Sequence, residues 1–273
     1  MNKIKIAFVC NWGETSEQLL KKYSRQTPNN SGVWNTLEGI GDPSKSDYII
    51  VLQSNGPPID IPDSLKDKVI LFRREPDFVQ PWIPINGVKE VFDYSTEEKY
   101  HISTWWINLS YDELITLPYN KSKSASIISS NKWNHRTNYI KAICEMNPNT
   151  FDYYGNIQIS NQSNFGYVPK KETSVLEYEK SVAIENSSQN NYFTEKILDC
   201  ILCSTMPLYW GCPNISEYFP EGSYRLIDIQ DPHQIKELLE EPISKKEIKS
   251  LKQAKDLILN KYNIWPVIQK ILK

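Results

Sequence analysis

Short apolar runs alternate along the chain with longer amphipathic or polar stretches, the pattern of βα units around a mostly parallel sheet. In the first half the pattern predicts strands at residues 4–10, 48–53, 69–73 and 91–94, and a helix at 14–24. In the second half it predicts strands at 125–129, 181–184, 206–209 and 224–227, with helices at 136–147, 192–203 and 232–240. After residue 243 the apolar spacing is helical, and Pro266 predicts the start of a second short helix.

This alternation indicates an α/β protein with two Rossmann-like lobes, and the polar stretch at 118–123 is the hinge that separates them. We expect a first lobe over residues 1–120, a second over 121–243, and C-terminal helices over 244–273 that pack across both. In open parallel sheets ligands bind at the carboxyl ends of the strands, so we expect the site there, between the lobes.

The composition excludes several classes of protein. Lysine and arginine number 31 against 33 acidic residues, a net charge of −2, which gives no overall field for nucleic acid or an anionic membrane. No apolar run approaches the roughly 18–20 residues of a membrane span, and the N-terminus does not resemble a signal peptide. We therefore expect a cytoplasmic protein, of a bacterial or viral type.

The five cysteines are expected to be reduced, and Cys200 and Cys203 are expected to be buried in a helix rather than to bind a metal.

The segment that carries candidate chemistry runs from residue 181 to 228. An apolar strand ends in Glu185, Asn186 and Ser187, and a polar loop leads to a helix whose predicted first turn holds four polar or aromatic residues: Tyr192, Thr194, Glu195 and Lys196. The free N–H groups of a helix start attract phosphate. The helix dipole disfavours a lysine there, which indicates that an anion compensates Lys196. A loop that merely caps its helix has the same local pattern.

This segment resembles the signature of glycosyltransferase family 10, the α1,3/4-fucosyltransferases. That signature has Glu-Asn-Ser/Thr at a strand end, Tyr-x-Thr-Glu-Lys at a helix start, and later proline, glycine and aromatic positions. The matching later residues are Pro207, Tyr209, Trp210, Gly211, Pro213 and Tyr218.

Two further matches extend the resemblance. Residues 127–144 are similar to the family's strand, Ser-Asn loop (Ser130, Asn131) and Arg-opened helix, which implies that Arg136 binds the donor diphosphate. Residues 69–78 are similar to a strand and Glu-containing loop, which implies that Glu75 is the catalytic base. From the residues alone, Arg136 is also compatible with a surface arginine, and Glu75 with an ion pair to a neighbouring arginine.

The resemblance implies an inverting transferase of the GT-B type that moves L-fucose from GDP-β-L-fucose to a hydroxyl of a glycan acceptor. Residues 1–120 would be the acceptor side and 121–243 the donor lobe. Asn186, Tyr192, Glu195 and Lys196 would join Arg136 at the donor, with Glu185 and Thr194 as neighbours. No Asp-x-Asp pair presents a metal, so we expect none to be required. Residues 100–109 lack the family's arginine and proline. Another GDP- or UDP-sugar donor, or a lapsed glycan- or nucleotide-binding protein, remains an alternative.

Overall fold

The structure is a computed structural model that describes residues 3–54, 56–57, 59, 61–76, 88–94, 102–160, 162–168 and 170–273. It divides into two compact units. Unit 1 comprises Met1–Ile102, Ser110–Ile115 and Lys261–Lys273, and unit 2 comprises Ser103–Leu109 and Thr116–Asn260. The domain boundaries expected from the sequence stay a prediction.

The strands, in chain order, are β1 (Ile4–Cys10), β2 (Val33–Trp34), β3 (Leu37–Gly39), β4 (Tyr48–Gln53), β5 (Val69–Arg73), β6 (Glu90–Phe92), β7 (Lys123–Ser129), β8 (Phe151–Gly155), β9 (Ser163–Asn164), β10 (Tyr178–Ile184), β11 (Met206–Trp210) and β12 (Arg225–Leu226). The α-helices are α1 (Ser16–Ser24), α2 (Tyr111–Thr116), α3 (Asn134–Met146), α4 (Glu195–Leu202), α5 (Gln234–Glu240), α6 (Lys245–Leu257) and α7 (Ile264–Ile271).

The sheet of unit 1 has, within the described residues, six strands in the order β2-β3-β1-β4-β5-β6, all parallel except the β2–β3 pair. The central strands read as nearly continuous apolar runs because helices or loops cover both of their faces. The C-terminal helix α7 belongs to this core: Trp265 is fully buried, packs edge-on against Phe8, and donates its indole N–H to the Tyr23 carbonyl at 2.9 Å.

The sheet of unit 2 has, again within the described residues, six parallel strands in the order β12-β11-β10-β7-β8-β9. Strand β10 is central, pairs with β7 and β11, and is buried along nearly its whole length. Because all strands are parallel, their carboxyl ends lie along one edge. The residues after β7 and β10 therefore come together at that edge, although more than 50 positions separate them in sequence.

The expected fold class, an α/β protein with two Rossmann-like lobes and a C-terminal helical tail, is confirmed. The predicted strands at 4–10, 48–53 and 69–73 have the observed bounds. The short strands β2, β3, β8 and β9 and helix α2 were not predicted. Strand β8 reads Phe-Asp-Tyr-Tyr-Gly, where aromatic residues stand in place of an aliphatic run, and its second residue, Asp152, accepts a hydrogen bond from the buried Tyr178.

The helix predicted at 192–203 begins three residues later, and this boundary is corrected. Thr194 is the N-cap with an extended backbone, and Glu195 is the first helical residue. Tyr192 therefore lies in the loop before α4, outside its first turn. The helix predicted at 14–24 likewise begins at Ser16, because Thr15 and Gln18 form a capping box. Among the described residues, none of the helices has both the length and the apolar character required to cross a membrane.

Candidate functional site

The carboxylate of Glu185 is the centre of the polar cluster in unit 2. It follows β10 directly, is fully buried, and its backbone N–H continues the sheet by bonding the Trp210 carbonyl at 2.9 Å. One carboxylate oxygen accepts the Thr194 N–H at 2.7 Å, and the other accepts the Thr194 hydroxyl at 2.7 Å. The ammonium of Lys196 lies 3.1 Å from the second oxygen. A strand end thus holds the start of α4 through one buried anion.

Gly211, at the end of β11, permits this arrangement. A Cβ at that position would lie 2.4 Å from Cγ of Glu185 and 2.7 Å from the hydroxyl oxygen of Tyr209. A real Cβ does not approach other atoms so closely, so any other residue would displace the carboxylate. Sterics alone therefore explain why glycine stands at position 211 of the family-like signature in this chain.

Lys196 has two carboxylate partners within the protein, Glu185 at 3.1 Å and Glu195 at 3.4 Å. Burial alone would lower the pKa of Lys196, but these carboxylates outweigh burial and raise the pKa above its ordinary value. The anion expected to compensate a lysine at a helix start is supplied here by the protein's own side chains. The charge of Lys196 is thus compensated within the protein.

Glu195 also remains ionised, because groups of opposite charge lie close to it. Burial opposes its charge, yet the ammonium groups of Lys196 and Lys171 hold the pKa of Glu195 at about 2, below its ordinary 4.5. Lys171 also forms an ion pair of 2.7 Å with the fully buried Asp199 on α4. Sequence reasoning missed Lys171 and Asp199, because one lies in a polar stretch without periodicity and the other inside an apolar helix.

Arg136 is brought to the same edge by α3. Its side chain is buried (6% exposed) and donates to the Asn186 side-chain oxygen at 3.1 Å and to the Ser130 hydroxyl at 3.2 Å. Burial lowers the pKa of Arg136, and Glu185 and Glu195 oppose that effect. The alternative of a surface arginine is therefore wrong. Asn131 is exposed and pairs with Asn156 instead, through bonds of 2.9 and 3.2 Å.

Tyr192 is the site residue whose placement differs most from the expectation. Its ring is 1% exposed. The preceding Asn191 has the left-handed φ of 65° and is held by Asn214 and Tyr218 through bonds of 2.8 Å each. The loop between β10 and α4 is thus anchored from inside unit 2 through Asn191, and the Tyr192 ring that follows is buried.

Glu75, the candidate base, belongs to unit 1 and follows β5. Its Oε1 accepts a hydrogen bond of 2.9 Å from the Ser54 hydroxyl. Arg73 forms an ion pair of 3.3 Å with Asp93, and the Arg74 guanidinium lies 6.0 Å from the centre of the Trp12 ring. Residues 77–87, which include the end of the family-like loop and Trp82, lie outside the described residues.

Tryptophan rings can pack on the faces of sugars, and three tryptophans of the described residues differ in exposure. Trp105 is buried, with its indole N–H bonded to the Leu109 carbonyl at 3.0 Å, and Trp12 is partly buried. Trp106 is 55% exposed, and the Lys171 ammonium lies 5.5 Å from its ring centre. Trp105 is interior to unit 2 and therefore cannot contribute to a surface platform of rings.

Comparison with known proteins identifies first the fold and then the family. The fold is that of GT-B glycosyltransferases: a solved α1,3-fucosyltransferase superposes with a TM-score of 0.52 at 16% identity, covering 97% of this chain and 92% of that one. A second, the α1,3-fucosyltransferase solved with GDP-fucose, gives a TM-score of 0.50 at 17% identity, covering 96% and 82%. At such identities the likeness establishes the fold alone.

The family follows from sequence. The family model described as glycosyltransferase family 10 (fucosyltransferase), C-terminal part, matches residues 118–267, more than half of the chain. The chain belongs to glycosyltransferase family 10.

Two curated relatives share part of the sequence. The chain is 33% identical over 64 residues to the alpha-(1,3)-fucosyltransferase FucT of Helicobacter pylori. Those 64 residues are 23% of this chain and 13% of that protein. It is 30% identical over 109 residues to the alpha-(1,3)-fucosyltransferase B of Drosophila melanogaster. Those 109 residues are 39% of this chain and 23% of that protein. The matched segments span less than a quarter of either relative.

Proposed function

We propose that this chain is an inverting fucosyltransferase that moves L-fucose from GDP-β-L-fucose to a hydroxyl of a glycan acceptor, with an α1,3/4-type linkage. Family membership supports the transferase class, and both curated relatives are named as α1,3-fucosyltransferases. One solved structure of similar fold was obtained with GDP-fucose. The observation that carries the proposal is the polar cluster at the carboxyl edge of the unit 2 sheet, which lies inside the family match.

The proposed donor site uses the residues gathered at that edge. Departure of GDP places negative charge on the β-phosphate, and preorganised cations stabilise such charge in the transition state. Arg136 is the proposed diphosphate ligand, because a guanidinium binds two oxygens at once. Its present acceptors, on Asn186 and Ser130, are neutral oxygens that phosphate oxygens would replace. Lys196 adds the second cation.

The remaining donor residues have supporting roles in this proposal. Asn186 and Glu195 are proposed to hold donor hydroxyls, and the Glu185 carboxylate with Thr194 fixes the helix start that presents Lys196. Because Tyr192 is buried, a contact between its ring and the nucleoside requires a movement of the loop before α4. Each of these roles is proposed from the position of the residue at the carboxyl edge of the unit 2 sheet.

Glu75 is the proposed base. As the sugar becomes oxocarbenium-like, a carboxylate that accepts the acceptor's hydroxyl proton completes an inverting displacement. Inversion requires attack on the face opposite the leaving GDP.

Transfer assays test the proposal. The chain is incubated with GDP-fucose and with acceptors that end in N-acetylglucosamine, glucose or galactose, and both GDP release and the fucosylated product are measured. Glu75→Gln should reduce transfer to a low residual rate and leave the GDP affinity measured by calorimetry unchanged. Lys196→Ala should weaken GDP binding. Lys236→Ala, a change of an exposed lysine in the same unit, is the control.

Three outcomes would contradict parts of the proposal. Tighter binding of UDP than of GDP would identify another donor. GDP binding without transfer to any acceptor would indicate a lapsed enzyme. Full activity of Glu75→Gln would show that another group is the base.

A further inference from the structure

The ends of three neighbouring strands in unit 1 are joined by side-chain hydrogen bonds. β1, β4 and β5 are adjacent and parallel, and their last paired residues are followed by Asn11, Ser54 and Arg74-Glu75. The carboxyl ends of these strands therefore lie side by side. Asn11 and Ser54 belong to none of the sequence patterns that pointed to Glu75.

Asn11 extends the pairing of β1 with β4 by one residue through its side chain. Its carboxamide nitrogen donates to the Ser54 carbonyl at 2.7 Å, and its carboxamide oxygen accepts the Ser54 N–H at 2.8 Å. Asn11 is 6% exposed, so both polar ends of a buried amide are satisfied by one residue. These two bonds fix the backbone of Ser54 in place.

Gly56 also lies close to Ser54 and Asn11. The Gly56 N–H bonds the Ser54 carbonyl at 2.9 Å, and a Cβ at Gly56 would lie 1.6 Å from the Asn11 backbone oxygen. Only glycine permits so close an approach. Ser54 is thus held by the Asn11 side chain and by the Gly56 N–H.

From this fixed position the Ser54 hydroxyl donates to Oε1 of Glu75 at 2.9 Å. Among the described residues, the structure gives the second carboxylate oxygen, Oε2, no hydrogen-bond partner. One oxygen is therefore oriented by Ser54, and within the described part of the chain the other oxygen, Oε2, is left to accept a proton. A general base requires this division, because proton transfer depends on distance and direction.

We propose that Ser54 and Asn11 are positioning residues for Glu75: Asn11 holds the Ser54 backbone, and the Ser54 hydroxyl fixes the rotamer of the Glu75 carboxylate. This inference rests on the proposed function, in which Glu75 is the base. In this proposal neither residue touches the reacting atoms. Their effect is to keep Oε2 of Glu75 in one orientation, and loss of such orientation costs rate rather than affinity.

Steady-state kinetics of Ser54 variants test the proposal. Ser54→Ala should lower kcat by about 10- to 100-fold and leave the KM for donor and the GDP affinity within a factor of about two. Ser54→Thr keeps a hydroxyl on Cβ and should recover most of kcat. Ser46→Ala is the matched control, because Ser46 is a buried serine in the same unit whose hydroxyl bonds the Pro43 carbonyl at 2.8 Å.

A second measurement separates positioning from general damage to the fold. Ser54→Ala should have almost no further effect on residual turnover in the Glu75→Gln background, because the group that it orients is already gone. Asn11→Asp removes the donor to the Ser54 carbonyl at equal size and should lower kcat as well. Ser54→Cys, which keeps the volume with a weaker donor, serves if Ser54→Ala fails to fold in thermal melting.

The outcomes distinguish this inference from the proposed function. A wild-type chain that transfers no sugar overturns both. An active wild type with unchanged kcat in Ser54→Ala overturns the positioning role alone. An equal loss in the wild-type and Glu75→Gln backgrounds, or no recovery in Ser54→Thr, overturns it too.

Discussion

Replacement of the buried carboxylate at the end of β10 gives the sharpest test of how unit 2 is held together. Glu185→Gln keeps the shape of the side chain and removes its charge. Its remaining oxygen can still accept the Thr194 N–H, and the Thr194 hydroxyl can reverse its direction to accept from the new amide. The ion pair with Lys196 at 3.1 Å has no substitute, because an amide N–H and an ammonium are both donors.

The expected cost follows from the burial of the pair. Removal of one partner of a buried ion pair costs about 3–5 kcal/mol. Lys196 retains Glu195 at 3.4 Å and is 20% exposed, so we take the lower end, about 3 kcal/mol. For a unit of this size that loss corresponds to a decrease in Tm of roughly 6–12 °C.

Urea unfolding is the assay, because guanidinium would screen the charges under study. Hydrogen exchange of the α4 amides, read by mass spectrometry, assigns the loss to this region. Glu179→Gln is the matched control: it changes an exposed glutamate on the same strand and should stay within about 0.5 kcal/mol of wild type. Equal stability of the Glu185→Gln and control variants would refute the reasoning that this carboxylate organises the start of α4.

Four further expectations concern charge, core packing and metal. The pKa of Glu195 in the folded protein is depressed to about 2, so the stabilisation from its charge is present above pH 4.5 and is lost as the pH falls towards 2. In Glu195→Gln the free energy of unfolding should therefore depend less on pH over that range. Trp265→Ala should destabilise unit 1 by about 3–5 kcal/mol in the same urea assay, since the lost indole fills the core and bonds the Tyr23 carbonyl; a loss below 1 kcal/mol would contradict this. Lys121→Met should cost about 2–4 kcal/mol, because the ammonium donates to two carbonyls and a hydroxyl at 2.8 Å each. EDTA should leave sugar transfer unchanged, and loss of turnover restored by Mn²⁺ or Mg²⁺ would show a metal requirement.

The hydrophobic pattern and one local motif were enough to predict several strands and one strand–loop–helix junction from the sequence. Strands β1, β4 and β5 were predicted with their observed bounds, because a short and mostly apolar run between polar turns is a local signal. The quoted motif placed Glu185, Thr194 and Lys196 at one strand–loop–helix junction, and the structure brings these residues into contact. Short or aromatic strands such as β8 carry a weaker local signal and were missed.

Tertiary structure alone decided which polar groups meet. Lys196 pairs with Glu185 and Glu195, and Ser54 meets Glu75 across two strands. The assignment of Lys261–Lys273 to unit 1, where Trp265 fills the core, likewise depends on contacts with residues more than 200 positions away. Apolar periodicity specifies which face of an element is buried. The choice of partner for a buried charge depends on which strand ends become neighbours, and that is fixed only when the sheet forms.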